Sequence, residues 1–249
     1  MKDTATDQRT HYDGFAEEYS RHYDDEFSLE YRNRFILNRL FKNAELRDLL
    51  ILDAMCGSGG EMAYLSGRQA RSFGLDISFR ELQLYGRANG SGKVVCASAF
   101  DICLPDGCMD GIVIIGGLHH LQPRVNDALM EFKRILKDQG SIYFCEPHQG
   151  SLPDYFRQIW YRYDPLFLPN ESSINIKKLM MENSGNFKFN IIGYYGNLAY
   201  LLVFNSMVLR LGALFKKKLA KTLFLIESLL SPLQNRIFSC FVLVKAEKI

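Results

Sequence analysis

Short apolar runs alternate with helix-compatible segments between residues 49 and 146, and this alternation constrains the fold more than any other feature. The strand-like runs are Leu49–Asp53, Ser72–Asp76, Lys93–Ala97, Met109–Ile115 and Ser141–Glu146. The segments that favour helices between them are Glu61–Gly67, Ser78–Asn89 and Asn126–Lys137. Repeated β-α-β units of this kind build a parallel sheet with helices on both faces. The sequence therefore predicts a doubly wound α/β domain.

Length and composition agree with one such domain that carries additions at both ends. The chain has 249 residues, of which 47% are hydrophobic, enough to form a full core. Two helices are predicted before the first strand, at His11–Tyr23 and Tyr31–Phe41. After residue 150, a helix is predicted at Asn175–Ser184 and strands at Phe187–Tyr194 and Phe238–Lys245. The formal net charge of +2 does not suggest a nucleic-acid partner.

The cysteines are scattered, without a Cys-x-x-Cys pair or a His/Cys cluster, so neither a disulfide framework nor a zinc site is predicted. We expect reduced, buried thiols, which are typical of cytoplasmic proteins. The segment Met1–Arg9 is polar and lacks the apolar region of a signal peptide, which also indicates a cytoplasmic location.

A glycine-rich turn follows the first predicted strand and reads Asp53-Ala54-Met55-Cys56-Gly57-Ser58-Gly59-Gly60. Glycines let the backbone approach a ligand closely, and a carboxylate at the strand end can meet the ligand's polar groups. The turn therefore indicates a site for a nucleotide-type cofactor, although glycine turns after strands also serve as plain connections. It lacks the Gly-x-Gly-x-x-Gly spacing, which disfavours the alternative of a dinucleotide-dependent oxidoreductase.

Further motifs stand at the ends of the next strands, where open α/β sheets bind ligands. Asp76 ends the second strand, and an acid there can accept hydrogen bonds from both ribose hydroxyls, or it can cap the following helix. Ser98-Ala99-Phe100 follows the third strand and could border an adenine. The fourth strand ends in glycines at Gly116 and Gly117. Two acidic strand ends suit a cofactor with a positive centre, an amino-acid tail and a ribose.

In this order the motifs resemble the class I S-adenosylmethionine-dependent methyltransferases, over roughly residues 10–150. The resemblance implies a Rossmann-like, mostly parallel seven-stranded sheet with an antiparallel last strand and a helical insert near the C-terminus. It also implies S-adenosylmethionine as the cofactor and S-adenosylhomocysteine as the product. The residues that match the family's cofactor-binding positions are Asp53, Ala54, Gly57, Gly59, Asp76, Ile77, Ser98, Ala99, Phe100 and Gly116.

The chain departs from the family at Met55, where a glycine is usual, so a cofactor-binding scaffold without activity is an alternative. The N-terminal segment resembles the family's lid helix, and we expect Tyr12 and Tyr19 to close over the cofactor and exclude water. The resemblance divides the chain into lid helices at 1–45, a cofactor-binding core at 46–150 and a substrate side at 151–249. The substrate side includes the helical insert, at about 196–236.

Histidines follow the fourth and fifth strands, where a base would meet the acceptor. A hydroxyl acceptor needs a base, and we predict His119 and His148 as the catalytic residues. Adjacent side chains seldom face the same way, so one of His119 and His120 should face the acceptor. The alternative is that the histidines only orient loops. We expect O-methylation of a small-molecule, glycan or lipid-like acceptor, without a metal ion.

The segment Met207–Leu230 reads as a basic amphipathic helix. Its apolar stripe contains Val208, Leu211, Phe215, Leu219, Ile226 and Leu230, and its lysines are Lys216, Lys217, Lys218 and Lys221. Such a helix can lie on a membrane surface or cover an apolar substrate cavity. The alternative is a helix packed on its own domain or in a homodimer interface. Peripheral membrane contact through 207–230 and a homodimer are therefore both hypotheses.

Overall fold

A computed structural model describes residues 4–89, 93–164 and 171–249 of the chain. Its strands are β1 Leu50–Ala54, β2 Arg71–Asp76, β3 Val94–Cys96, β4 Met109–Ile115, β5 Leu136–Pro147, β6 Phe187–Tyr195 and β7 Phe241–Lys248. They form a seven-stranded sheet in the order β3-β2-β1-β4-β5-β7-β6. β1 to β5 pair in parallel, and β7 is antiparallel to both β5 and β6. The predicted Rossmann-like sheet with an antiparallel last strand is therefore confirmed.

The helices precede, connect and follow the strands as the alternation predicts. They are α1 Thr4–Tyr23, α2 Glu26–Tyr31, α3 Asn38–Leu40, α4 Met62–Gly67, α5 Phe79–Asn89, α6 Val125–Ile135, α7 Leu152–Tyr163, α8 Ile176–Glu182 and α9 Ala213–Leu230. A π-helical turn at Arg32–Leu37 joins α2 to α3, and a second one lies at Tyr200–Phe204. The helix α7 was not predicted, although its apolar residues recur at helical spacing, at Leu152, Tyr155, Phe156, Ile159, Trp160 and Tyr163.

Two strands begin three or more residues away from the prediction. β5 begins at Leu136 rather than Ser141, and α6 ends at Ile135, because Leu136 takes an extended conformation and pairs with Met109 of β4. β7 begins at Phe241 rather than Phe238, because Phe241 is the residue that pairs with Pro147 of β5 and Tyr195 of β6. Pairing partners distant in sequence decided both boundaries.

Alternate residues of the strands enter two hydrophobic cores, one on each face of the sheet. Leu52 of β1 packs in the core that contains α6 and α8, whereas Ile51 packs in the core that contains α2 and α9. In β7, Val242 and Leu243 divide between the two cores in the same way. This period of two is the side-chain geometry of a strand covered on both faces.

All six cysteines are free thiols. Cys56, Cys145 and Cys240 are buried as predicted, but Cys96 and Cys103 are exposed. The prediction of buried thiols was wrong for these two, because the short edge strand β3 and the loop after it leave them facing solvent.

The basic C-terminal helix is shorter than predicted and packs on its own domain. α9 begins after Gly212 rather than at Met207, and its residues Ala220 and Phe224 are buried in the core beside α2. Lys216 is also buried: it forms an ion pair with Asp25 and donates to the Ser28 Oγ at 2.7 Å. Within residues 4–89, 93–164 and 171–249, no helix combines the length and apolar character needed to cross a bilayer. Membrane contact and a homodimer stay hypotheses.

Replacing Lys216 by methionine is expected to lower the free energy of unfolding by about 2–4 kcal/mol, because the Asp25 carboxylate loses its buried cationic partner. The matched control is Lys217→Met, which removes an exposed lysine one position along α9 and should change stability by less than about 0.5 kcal/mol. Urea unfolding followed by circular dichroism measures both. Equal stabilities of the two variants would contradict the structural role of Lys216.

Candidate active site

The glycine-rich turn after β1 keeps its shape although Met55 stands where glycine is usual. Met55 adopts a left-handed backbone conformation with φ of 58°, as do Gly57 at 50° and Gly59 at 87°. A β-carbon at Gly117 would lie 2.7 Å from the Met55 Cε, so the bare backbone of Gly117 leaves room for the methionine side chain. A non-glycine residue in this conformation costs roughly 1–2 kcal/mol. The packing around Met55 therefore keeps its backbone in the left-handed conformation that the turn requires.

A cavity of about 80 Å³, here called the loop cavity, lies beside this turn at the carboxyl ends of the strands. Most of the predicted cofactor residues line it: Tyr12, Tyr19, Gly57, Asp76, Ile77, Ser98, Ala99, Phe100 and Gly116. Of the other described residues predicted for the cofactor, Asp53 and Ala54 are buried at the end of β1, and Gly59 turns the loop; none of these three lines the cavity.

The Asp76 carboxylate accepts hydrogen bonds from two segments that border the loop cavity. Its Oδ2 accepts the backbone N–H of Gly57 at 2.9 Å, and its Oδ1 accepts that of Ser78 at 2.8 Å. The carboxylate thus links the glycine turn to the start of α5 and still faces the cavity. Both sequence interpretations, a ligand-facing acid and a cap near the helix start, are compatible with this geometry.

Glu81 is a second carboxylate in the loop cavity, and the sequence analysis did not identify it. Its Oε2 is buried and has no hydrogen-bond partner among the described residues. Burial, together with the nearby Asp76 charge, raises the pKa of Glu81 to about 8. An uncompensated carboxylate of this kind favours a ligand with a positive charge or with hydroxyl donors.

Helix α1 covers the region between the sheet edge and α5. The Ser78 Oγ donates to the Asp13 carboxylate at 2.6 Å, and Arg80 pairs with Glu17 at 2.7 Å, so α5 anchors α1. Tyr12 and Tyr19 of α1 both line the loop cavity. This placement agrees with the lid position that the resemblance implies.

A second cavity of about 100 Å³, here called the aromatic cavity, adjoins the loop cavity. The residues that line both are Tyr12, Tyr19, Ile115, Gly116 and His120. The remaining wall of the aromatic cavity includes the aromatic side chains of Phe15, Tyr23, Tyr200, Phe204 and Phe241. Its polar wall residues include Arg32, which forms a buried ion pair with Glu61 at 3.3 Å. A flat, largely apolar molecule would match these walls.

His119 and Glu146 form a buried pair in the wall of the aromatic cavity. The His119 Nδ1 lies 2.8 Å from the Glu146 Oε2, and the other carboxylate oxygen accepts the backbone N–H groups of Gly117 at 2.8 Å and Leu118 at 2.7 Å. Burial and the adjacent His120 lower the pKa of His119 below its ordinary value, so the ring is neutral at neutral pH. A neutral imidazole held by a carboxylate at Nδ1 can accept a proton at Nε2.

His120 points to another carboxylate, Glu171, which the sequence analysis did not single out. The His120 Nδ1 lies 3.1 Å from the Glu171 Oε1, and the Tyr12 hydroxyl lies 2.9 Å from the same ring nitrogen. Burial lowers the pKa of His120, but the carboxylates of Glu171, Glu146 and Asp76 together outweigh this effect and raise it overall. Candidate ligand atoms of His119, His120 and Glu171 lie within 4.8 Å of one another, a set that could hold a metal ion.

His148, the other predicted catalytic residue, lies apart from both cavities. Its Nε2 is 2.8 Å from the Ser239 Oγ, and its ring packs edge-on against Tyr194 with centroids 4.9 Å apart. Burial lowers the pKa of His148 to about 4. These contacts favour the alternative interpretation for His148, that it orients the chain after β5.

The comparison with protein families matches residues 52–144 to the methyltransferase domain. Residues 52–144 form a methyltransferase domain. S-adenosylmethionine is therefore the cofactor, and the residues that would hold it line the loop cavity, the acids Asp76 and Glu81 among them. The carboxylates suit its positive sulfonium and ribose, and the open backbone at Gly57 permits close approach. The family match also favours methyl transfer over the alternative of a dinucleotide-dependent oxidoreductase.

Solved structures of similar fold align with most of this chain. A possible histamine N-methyltransferase from Thermotoga maritima has 16% sequence identity and a TM-score of 0.64, with 96% of this chain and 99% of that chain covered. The YcgJ protein from Bacillus subtilis has 20% identity, a TM-score of 0.59 and coverages of 85% and 98%. The N-methyltransferase NodS from Bradyrhizobium japonicum, solved with S-adenosylhomocysteine, has 12% identity, a TM-score of 0.59 and coverages of 96% and 97%. At these identities the likeness shows the fold. No curated protein is similar enough in sequence to be matched.

The affinity for S-adenosylmethionine is expected to rise with pH through Glu81. Below pH 8 the carboxyl is mainly protonated in the free protein, and a positively charged ligand favours its ionised form. Binding should therefore release a proton, and the association constant should increase by up to about tenfold per pH unit between pH 6.5 and 8, then level off. Titration calorimetry measures this slope, and Glu81→Gln should abolish it. A flat profile for the unmodified protein would contradict the assignment.

Proposed function

We propose that this protein methylates a hydroxyl group of a small planar acceptor bound in the aromatic cavity, with His119 as the general base. The observation that carries the proposal is the buried pair of His119 and Glu146, in the wall of a cavity that adjoins the cofactor site. S-adenosylmethionine supplies an electrophilic methyl group, and the chain must provide orientation, exclusion of water and removal of the acceptor's proton.

Glu146 positions the base. Because an ionised carboxylate only accepts hydrogen bonds, its contact at 2.8 Å requires that the His119 Nδ1 carries the proton. The Nε2 lone pair is then available for the proton of an acceptor hydroxyl. The neutral state of His119 supports this role, because a protonated imidazole could not act as a base.

The walls of the aromatic cavity favour a planar acceptor over a glycan. Tyr23, Tyr200 and Phe204 offer ring faces and edges, which pack well against a flat ring. A sugar of the same size would bury several hydroxyl groups, and each unpaired one costs roughly 1–3 kcal/mol. A phenol buries one hydroxyl, and His119 can pair with it.

Methylation assays with matched acceptors test the proposal. The purified protein is incubated with S-adenosylmethionine and 4-hydroxybenzoate methyl ester, or with the corresponding 4-amino and 4-mercapto compounds, and products are identified by mass spectrometry. We expect the methyl ether as the main product, with unchanged rates after treatment with EDTA. Cofactor binding without transfer to any acceptor would support the scaffold alternative. Loss of activity with EDTA, restored by a divalent metal, would assign His119, His120 and Glu171 to a metal and overturn His119 as the base.

A further inference from the structure

A large apolar groove of about 470 Å³ runs along the surface beside the aromatic cavity. We call it the outer groove. Its walls come from α7, from the segment 196–209 and from the residues just before β7. Its apolar lining residues include Leu152, Phe156, Trp160, Leu198, Leu201 and Phe238. Several of these side chains are strongly exposed: Phe156 is 62% accessible and Phe238 57%. Contiguous exposed apolar surface of this kind marks a binding site.

The outer groove adjoins the aromatic cavity. Asn205 and Val208 line both spaces, so the two share a wall. The Tyr23 hydroxyl donates to the Asn205 Oδ1 at 2.7 Å, which fixes the orientation of this shared wall from the cavity side. A ligand in the aromatic cavity therefore has an apolar surface directly beyond Asn205 and Val208.

Size and charge indicate what extends into the outer groove. The outer groove, at about 470 Å³, is much larger than the aromatic cavity, at about 100 Å³, so it has room for the longer part of an elongated acceptor. Arg157 is the only charged residue among the described residues that line the groove. Its Nη2 donates to the Cys240 carbonyl at 2.8 Å, and its Nη1 pairs with Asp154. An anionic group therefore finds no readily available cation there.

We propose that the outer groove binds an apolar chain of the methyl acceptor, whose hydroxylated ring lies in the aromatic cavity. The acceptor is then a lipid-like phenol with a small polar head and a hydrocarbon tail. The identity of the head rests on the proposed function. The tail site rests on the wall that the groove shares with the aromatic cavity, on the apolar lining and on the volume of the groove, and it can be tested without methyl transfer.

The single tryptophan of the chain makes the groove directly observable, because Trp160 lines it and is 40% accessible. The probes are n-alkyl 4-hydroxybenzoates from methyl to decyl, added to the protein with S-adenosylhomocysteine. We expect the Trp160 emission to shift with the longer esters. The dissociation constant should fall by roughly threefold to fourfold per methylene until the groove is full. Calorimetry with the same esters provides a second measurement of affinity.

Two substitutions in the exposed groove wall test the location. Phe156→Asp and Leu198→Asp should each weaken binding of the octyl ester at least tenfold, while binding of the methyl ester changes less than twofold. The matched control is Leu214→Asp on α9, which places the same charge at an exposed leucine outside the groove and should leave all esters unaffected. Thermal unfolding of each variant establishes that it is folded.

The outcomes separate this inference from the proposed function. Affinity that increases with chain length, without any ester being methylated, would support the tail site and contradict the proposed reaction. Methylation with affinity independent of chain length, and unchanged Trp160 emission, would overturn the tail site alone. A homodimer that Phe156→Asp dissociates, without chain-length dependence, would assign the groove to a second copy and also overturn the inference.

Discussion

Replacing His119 by glutamine is expected to lower turnover of a hydroxyl acceptor by roughly 10²–10⁴-fold, the usual contribution of a general base. The affinity for S-adenosylmethionine should change little, because His119 lines the aromatic cavity and not the loop cavity. Glutamine keeps a hydrogen-bonding side chain next to Glu146 but cannot take up the acceptor's proton. Steady-state kinetics give turnover, and calorimetry gives cofactor affinity.

The pH profile distinguishes a base from a residue that only supports the fold. Because burial lowers the pKa of His119, activity should fall only when the pH drops below about 6.5, its ordinary value. His119→Gln should remove this acidic limb. His148→Gln should retain it, since His148 bonds to Ser239 and lines neither cavity. An unchanged profile and turnover in His119→Gln would exclude it as the base.

Replacing Asp76 by asparagine is expected to weaken cofactor binding by roughly 10- to 100-fold, since hydrogen bonds to a charged group contribute about 1.5–3 kcal/mol. The carboxylate accepts N–H groups of both Gly57 and Ser78, and an amide must turn its NH₂ group towards one of them or towards the ligand. The substitution therefore weakens both the contact with the ligand and the hydrogen bond that holds the glycine turn. Calorimetry with S-adenosylhomocysteine measures the loss.

Asp138 provides a control for the loss of a negative charge, because it is an exposed acid outside the loop cavity. Asp138→Asn removes the same charge from a side chain that is 99% accessible, and it should leave cofactor affinity unchanged. Thermal unfolding without ligand shows whether Asp76→Asn remains folded. Wild-type affinity in folded Asp76→Asn would remove Asp76 from the cofactor site and would place the ribose elsewhere in the loop cavity.

Local patterns predicted most of the residues that line the loop cavity, although they missed Glu81. The apolar runs, the glycine turn and the acid at Asp76 are contiguous in sequence, and parallel strands bring their carboxyl ends to one edge of the sheet. Met55 stands where the family has a glycine, and Gly117, which lies near it only in the folded chain, leaves room for its side chain. The sequence showed the departure, and the structure showed how it is accommodated.

The residues that pair with His119, His120 and Lys216 could not be predicted from local patterns. Glu146 pairs with His119, Glu171 with His120 and Lys216 with Asp25 across long stretches of chain. Nothing local to these charged residues indicates that they are buried or which group they meet. The exposed lysines of α9 and the buried Lys216 look alike in the sequence, and only packing against α2 separates them.

The sequence by itself determined the α/β architecture, the methyltransferase motifs and the position of the cofactor loop, because each depends on residues close together in the chain. The tertiary structure alone decided that both His119 and His120 line the aromatic cavity, where only one of them was expected to face the acceptor. It also decided which carboxylate pairs with each histidine and where an apolar groove adjoins that cavity. These features arise where α1, α7, the segment 196–209 and the strand ends meet. Their geometry depends on distant segments that the sheet and its two cores hold together.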